Sequence, residues 1–512
     1  MGSSGLVDGV WGGVLMAGYF EIVLPIFILI GGAFAVFLLG RLFAFSNRVM
    51  SVLTAAVLAG TLVVLILNYQ NIPHIINRPD VFYGLDDPGG IIYRPNAVGV
   101  FILIIGVIIG LLITLYSGEY LSRDPRYLVY YPLILLTLAG LLGMFTSNNL
   151  FNLFLLTELT TITASALVAF RFKSKPSIRA GFKYLIMSSL GTMTMMLGIY
   201  FVYRSTGDMQ LVAPLATPDD LTRIGAACFL LGFSLKAGVV PLHTWVPDVY
   251  GHAPSAVSGL LAAVLSKSML FIMPVVCLRL GMTRGELGTY LMIFANLNML
   301  VGSVRMLRQQ QLGRFLSFST IAQTGYLMFG LGMGFYYGLE QAYGVGLFLF
   351  MIIAVMKCLA FLSAGMYEYY FGTQDIELLR GAGRQMPLAA FTFSIALAGL
   401  AGIPLLAGFN GKWLIFSTAI LSGDVFALVC LAVFVLSTVI GLGGYLPMIV
   451  KQYQPAPGSE HLTPAGGQPI EVSTWMVVPT GLLSLMVIVI GVYPGPWVNL
   501  VSQVMQWMMV TL

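Results

Sequence analysis

Runs of about 20 mostly apolar residues, the length a helix needs to cross the hydrocarbon of a bilayer, follow one another almost without pause along this chain. A fold bathed in water has no means of covering them. Only 9% of the residues are charged and 58% are hydrophobic, where an ordinary soluble domain has about 25% charged. Lipid must therefore be the solvent for most of the surface. Spans are expected near 17–39, 50–68, 98–118, 128–146, 149–170, 182–203, 224–243, 255–279, 288–304, 315–335, 341–366, 388–420, 424–448 and 474–493. These fourteen predict an all-α polytopic membrane protein, since a helix satisfies its own backbone groups where water cannot. The first run has no basic residue ahead of it and carries Glu21 near its start, so it reads as a permanent helix and not as a signal peptide. Residues 69–97 suit a turn-rich cover or a contact surface, 451–473 a linker, and the uncharged tail 494–512 the membrane interface or a packing surface.

Basic residues sort by loop. The odd loops carry fourteen of them, from Arg41 to Lys451, and the even loops carry six, Arg78, Arg94, Arg204, Arg223, Arg279 and Arg284. Cytoplasmic loops retain such an excess, so both termini are expected outside. The net charge of +5 needs no nucleic-acid partner, because basic loops beside spanning helices account for it. Five of the twenty-five basic residues remain, Lys183, Lys236, Lys267, Lys357 and Lys412, and each falls within or at the edge of a span. A lysine at mid-bilayer costs about 2.5–3.5 kcal/mol on insertion scales, so a group of them implies a polar interior. None of the five is an arginine. Lysine can give up its proton when desolvated and arginine effectively cannot, which points to proton handling.

Glu158 lies in FNLFLLTELTTITASALVAF, with apolar sequence continuing on both sides. It reads as a carboxylate on a transport path, with a helix-packing hydrogen bond or structural ion pair as the alternative. Two segments share an irregularity: FSLKAGVVPLHTWVPDVYGHAPSAVSGL around the seventh span and LAGLAGIPLLAGFNGKWLIF around the twelfth. Each combines AG, a nearby PL pair and a lysine, and proline and glycine both release the chain from helical geometry. Freed backbone groups are tolerated in a membrane only where protein or water satisfies them. Such breaks at corresponding places point to an internally repeated transporter, with spans four to eight followed by nine to thirteen. The organisation expected is residues 1–127 for helices 1–3, 128–279 for the first repeat, 288–448 for the second, and 449–512 for the linker, last helix and tail.

Lys236 precedes the first break and Lys412 follows the glycines of the second, with Glu158 as the natural acid partner of Lys236. Lys267, flanked by serines, and Lys357 in LFMIIAVMKCLAFLSAG are candidate relays, the alternative being lysines held by structural hydrogen bonds. Lys183 is placed to reach a headgroup or an acidic side chain at the membrane edge. His243, Asp248 and His252 in HTWVPDVYGH form a candidate proton-access or coupling cluster beside a break. Their spacing is not a distinctive metal motif, and Pro247 and Pro254 restrict the backbone, so no metal is assigned. The four cysteines are isolated in apolar runs and suggest packing. Nothing resembles a phosphate loop or dinucleotide fingerprint, and no cofactor is expected in this chain.

The stretch from Glu158 through LKAGVVPLHTWVPDVYGHAPSAVSGLLAAVLSK, FSTIAQTGYLMFG, MKCLAFLSAG and PLLAGFNGKW resembles the proton-pumping antiporter-like subunits of respiratory complex I. In character it is most similar to the D subunit of Mrp-type sodium/proton antiporters and the related subunit of membrane-bound hydrogenases. The resemblance covers about residues 100–450 and implies fourteen helices, two inverted five-helix repeats, and broken helices 7 and 12. It also implies roles: Glu158 matches the fifth-helix glutamate, Lys236 the lysine of broken helix 7, Lys267 the eighth-helix lysine, Lys357 the eleventh-helix lysine and Lys412 the ionisable residue of broken helix 12. Two positions depart from the family pattern. Gln323 and Ile353 stand where members often carry histidine. Gln323 can organise water but cannot shuttle protons, and Ile353 can do neither.

The expectation is a prokaryotic multi-pass subunit that moves protons through a hydrated mid-membrane axis. Coupling would be to sodium exchange or to redox chemistry in other subunits of a hetero-oligomeric complex. Two other readings stand beside it: a structural, movement-transmitting subunit without an ion path, and an autonomous secondary transporter.

Overall fold

The computed structural model of the chain describes residues 5–76, 83–84, 92–93, 96–171, 174–211, 214–215, 217–454 and 470–509, with the backbone alone at 5–22, 70–95, 340 and 507–509. The Glu21 side chain, most of the 69–97 loop and of the 451–473 linker, and the expected outward position of both termini lie outside the described residues.

Eleven of the described helices are long and apolar enough to cross a membrane, and the protein is an all-α polytopic membrane protein. The one paired strand segment among the described residues joins Tyr83–Gly84 to Ile92–Tyr93. Large apolar side chains such as Phe34, Phe182, Ile186, Val425 and Val439 stand on the outside, where lipid replaces water as their neighbour. The Glu340–Phe371 helix has the opposite character. Its most apolar stretch is buried throughout, and it packs against helices from both the N-terminal and the C-terminal parts of the chain.

Small residues decide which helices approach closely. Lys175–Thr206 and Asp220–Ala237 lie against each other because Gly191 faces Gly232 and Gly198 faces Gly225; a Cβ on Gly232 would come within 2.7 Å of the Gly191 carbonyl. That contact carries Lys236 to the side of Ser188. Arg284–Met306 and Leu312–Tyr337 run antiparallel in the same way, with Gly288 against Tyr336 and Gly302 against Ala322.

Three interruptions of regular helix matter for the site. Asp220–Ala237 stops at Gly238 (φ 72°), and the chain turns through 239–245 before Val246–His252. The turn is fastened from outside: the Val240 amide donates to Asn298 Oδ1 at 2.6 Å and Trp245 Nε1 to the Leu235 carbonyl at 2.9 Å. Pro387–Ala401 stops at Gly402 (φ 87°), and Ala407–Ser422 begins after a turn that holds Leu405 at φ 71°. Between Ser255–Leu260 and Ser266–Arg279 the chain takes one π turn, Leu261–Leu265. The C-terminal Gly495–Met509 helix packs against Ala97–Tyr120 and Glu340–Phe371.

Candidate functional site

Among the described residues Glu158 and Lys236 form no ion pair, and hydroxyl groups lie between them. In Leu150–Val168 the residues Glu158 and Thr161 share a face, being three positions apart. Thr192 of the next long helix donates its hydroxyl to Glu158 Oε1, and one turn earlier Ser188 stands 3.5 Å from the Thr161 hydroxyl. Lys236 Nζ donates to Thr161 Oγ1 at 2.6 Å and to Ser188 Oγ at 3.0 Å. Lys236 is 7% exposed and Glu158 half-buried. A hydroxyl both donates and accepts, so the three that separate carboxylate from amine can bond to either protonation state.

Lys267 is fully buried, and its amine donates to the carbonyl of Ala262 inside the π turn. A π turn leaves carbonyls without their usual i→i−4 donor, which explains why this lysine finds an acceptor on its own backbone. The segment packs against Glu340–Phe371, the helix of Lys357. Lys357, also fully buried, donates to Ser319 Oγ at 2.5 Å and to the Leu316 carbonyl at 3.2 Å. Ser319 in turn shares a hydrogen bond with the Tyr445 hydroxyl. Gln323, one turn beyond Ser319, points its amide at the Leu400 carbonyl at 3.4 Å, and Lys412 donates to the next carbonyl, Ala401, at 2.7 Å. The Lys412 ammonium lies 5.5 Å from the centre of the Tyr326 ring, within cation–π range.

Gly402 is fixed by this arrangement twice over. Its φ of 87° is left-handed, and a Cβ there would stand 2.7 Å from Lys412 Cδ and 3.2 Å from Nζ. The lysine stem occupies the space that any other side chain would fill.

The remaining candidates form a separate rim. Asp248 is bracketed by Lys183 and by Arg314, the latter at 3.0 Å, with the three side chains 34–41% exposed. His252 Nδ1–H donates to the Asp248 carbonyl at 2.8 Å, which fixes the tautomer of the neutral ring. His243 is half-buried, with its Nδ1 buried and without a hydrogen-bond partner. The pattern joins Asp248 and His252 but does not bring His243 to them by any hydrogen bond. Among the described residues no group of three His, Cys, Asp or Glu side chains is placed to hold a metal ion.

One charged cluster escaped the sequence reading. Glu368, near the end of Glu340–Phe371, accepts from Arg171, from Tyr120 Oη at 2.8 Å and from Ser255 Oγ at 2.8 Å. Tyr120 Oη also accepts from Arg171 Nη2 at 2.6 Å and from the Ser255 amide at 3.0 Å. The hub joins the end of Ala97–Tyr120, the loop after the Glu158 helix, the start of the Lys267 segment and the Lys357 helix. Its members are up to 248 positions apart, so local pattern held no sign of it.

Residues 147–441 match the family described as NADH:quinone oxidoreductase/Mrp antiporter, TM. NADH-quinone oxidoreductase subunit N of Desulforudis audaxviator is 30% identical over 443 residues, which cover 83% of this chain and 86% of that protein. Among solved structures, a chain of the membrane-bound sulfane sulfur reductase, an archaeal respiratory membrane complex, superposes with a TM-score of 0.81 at 23% identity, covering 95% of this chain and 97% of that one. A chain of the Mrp complex from Dietzia sp. DQ12-45-1b gives 0.82 at 19%, covering 96% and 99%. Both likenesses are of fold.

Proposed function

Because the chain belongs to the NADH:quinone oxidoreductase/Mrp antiporter transmembrane family, we propose that it is the proton-translocating membrane subunit of a multisubunit ion-pumping complex, coupled to sodium/proton exchange or to redox chemistry in its partner subunits. The observation that carries this reading is the bonding of three buried lysines and of the partly buried Lys412. Lys236, Lys267, Lys357 and Lys412 hydrogen-bond to hydroxyls and backbone carbonyls, and none forms an ion pair with a carboxylate among the described residues. A permanently charged buried amine calls for a counter-ion. One held by neutral acceptors is suited to gaining and losing a proton as its surroundings change.

The path runs from Glu158 through the Thr192, Ser188 and Thr161 hydroxyls to Lys236, then by Lys267 and Lys357 towards Lys412. Ser319, Tyr445 and Gln323 line the second half and supply polar groups where histidine is absent. Lys183, His243, Asp248 and His252 serve as access or coupling groups at the rim of the first interruption. Adding Asp220–Ala237, Leu312–Tyr337 and the interrupted pair Pro387–Ala401 with Ala407–Ser422 to the eleven long apolar helices gives fourteen spans. Two inverted repeats, 128–279 and 288–448, fit that count, each with one interruption that begins at a left-handed glycine, Gly238 or Gly402. Both termini then face outward.

The test is ion movement by the reconstituted complex bearing Glu158→Gln, Lys236→Ala or Lys412→Ala one at a time. Loss of transport with assembly retained is expected. Normal pumping by the assembled Glu158→Gln complex would end the role given to that carboxylate. Uniform disassembly would favour a scaffold, and transport by the purified chain alone would favour an autonomous carrier.

A further inference from the structure

At one end of the helix bundle a cavity of about 670 Å³ opens between the Leu121–Arg126 turn, the Arg171–Ser174 loop and Tyr369. Three arginines line it, Arg123, Arg126 and Arg171, with a single acid, Asp124. The two last arginines are already matched: Arg126 grips Asp124 through Nε at 3.3 Å and Nη2 at 3.1 Å, and Arg171 is paired with Glu368. Arg123 is not matched. It lies exposed over the Tyr369 ring at 4.3 Å, and no carboxylate among the described residues comes within ion-pair distance of it.

The backbone adds to this positive field. Arg126 is the N-cap of the 20-residue helix Tyr127–Thr146 and provides no side-chain cap, whereas Ser174, the N-cap of Lys175–Thr206, already accepts from the Ser177 amide and Pro176 brings no N–H. Both positions line the same cavity. Helix starts present amide hydrogens and the positive end of the dipole, which favour an anion. An unmatched arginine, two arginines held in fixed orientation and the uncapped start of Tyr127–Thr146 thus converge on one space large enough for a phosphate ester.

We propose that this cavity binds a phosphate-bearing anion, the headgroup of an anionic phospholipid. A lipid is favoured over a soluble phosphate by position. The cavity sits at the ends of membrane-crossing helices, on the loops whose excess of basic residues marks the cytoplasmic side, and Val129, three residues from Arg126, already faces outward at 46% exposure. Basic pockets between spanning helices on that side are suited to phosphate headgroups.

The experiment uses the intact purified complex, with wild-type chain, Arg123→Gln or Arg123→Lys, in native mass spectrometry and in thermal unfolding. Titrants are phosphatidylglycerol, phosphatidylcholine and inorganic phosphate. Phosphatidylglycerol is expected to be retained and to stabilise the wild type, phosphatidylcholine to do neither, and Arg123→Gln to weaken retention about fivefold, the worth of one cationic side chain at a membrane surface. Arg123→Lys keeps the charge and should restore most of it. Inorganic phosphate competing at millimolar concentration, with no preference for the lipid, would retain the anion site and move its source to solution. Equal effects of the two lipids, or no change in retention with Arg123→Gln, would overturn the proposal, as would a neighbouring subunit's carboxylate filling the cavity in a structure of the complex.

Discussion

Replacing Gly402 by alanine isolates the contribution of Lys412, because the structure provides a matched control. Alanine at φ 87° costs about 1–2 kcal/mol of backbone strain. Its Cβ would also stand 2.7 Å from Lys412 Cδ, so the lysine must move and its 2.7 Å hydrogen bond to the Ala401 carbonyl cannot survive in place. Such a bond is worth roughly 1.5–3 kcal/mol when the amine is charged, which lowers the population of the present arrangement by about ten- to a hundredfold. Gly423 ends the following helix at φ 65° and has nothing within 4 Å of where its Cβ would be. Gly423→Ala therefore carries similar backbone strain and displaces nothing. In proteoliposomes containing the whole complex, Gly402→Ala should lose at least about tenfold in proton transport, while Gly423→Ala keeps near-normal transport with a comparable fall in thermal stability. Equal transport by the two assembled variants would refute the claim that the position of Lys412 matters to the path.

Three further outcomes are expected. Ser319→Ala leaves Lys357 with only the 3.2 Å contact to the Leu316 carbonyl and removes the partner of Tyr445, so transport should fall about tenfold, and more than with Tyr445→Phe, in the same vesicle assay. Glu368→Gln leaves Arg171 without its carboxylate and should destabilise the chain by about 3 kcal/mol, with the double variant Glu368→Gln, Arg171→Gln losing less than the sum of the singles in a thermal-unfolding cycle. Outside the spans, hydrogen bonds from Lys451 and then Arg380 hold the Glu377 carboxyl below its ordinary value of 4.5. The sign follows from that depression: the contribution is full above about pH 4.5 and is lost as the pH falls through the lower folded value. Exchange protection of the Gly381 and Gly383 amides, which donate to the Lys451 and Gln452 carbonyls, should weaken over that range, and Lys451→Met should remove the dependence.

What could be read from sequence was what local pattern carries. A lysine inside an apolar run stands out wherever it occurs, and all five such lysines hold polar contacts in the structure: four to hydroxyls or carbonyls and Lys183 to Asp248. The AG and PL pairs of the two interrupted segments were legible too, and they contain the left-handed Gly238 and Gly402. The partners of those lysines were not legible. Thr161, Ser188 and Ser319 are ordinary small polar residues in helical sequence, and the close helix approach at Gly191–Gly232 and Gly198–Gly225 that sets Ser188 beside Lys236 is a tertiary contact. The π turn beneath Lys267 has no composition of its own in LLAAVLSKS. Glu368, in MYEYYFG, looks like a charge at the end of a span, and its partners come from three other elements.

The contrast between rim and interior carries the argument one step further. Around the ends of the bundle several charges are closed in carboxylate pairs: Arg48 with Glu119, Arg171 with Glu368, and Lys451 with Glu377. A pair of that kind resists a change of protonation, because neutralising one member strands the other. The four interior lysines have no such obligation. Each can alternate between ammonium and amine while the same hydroxyls and carbonyls remain hydrogen-bonded to it, since both states donate N–H. On the proposed path the interior charges are free to change, while the paired charges at the rim stay fixed. Giving Lys357 a carboxylate at Ser319 tests this division directly: Ser319→Asp should leave the complex assembled and at least as stable, yet stop transport by fixing the ammonium. Continued pumping by that variant would show that neutral partners are not what makes these lysines useful.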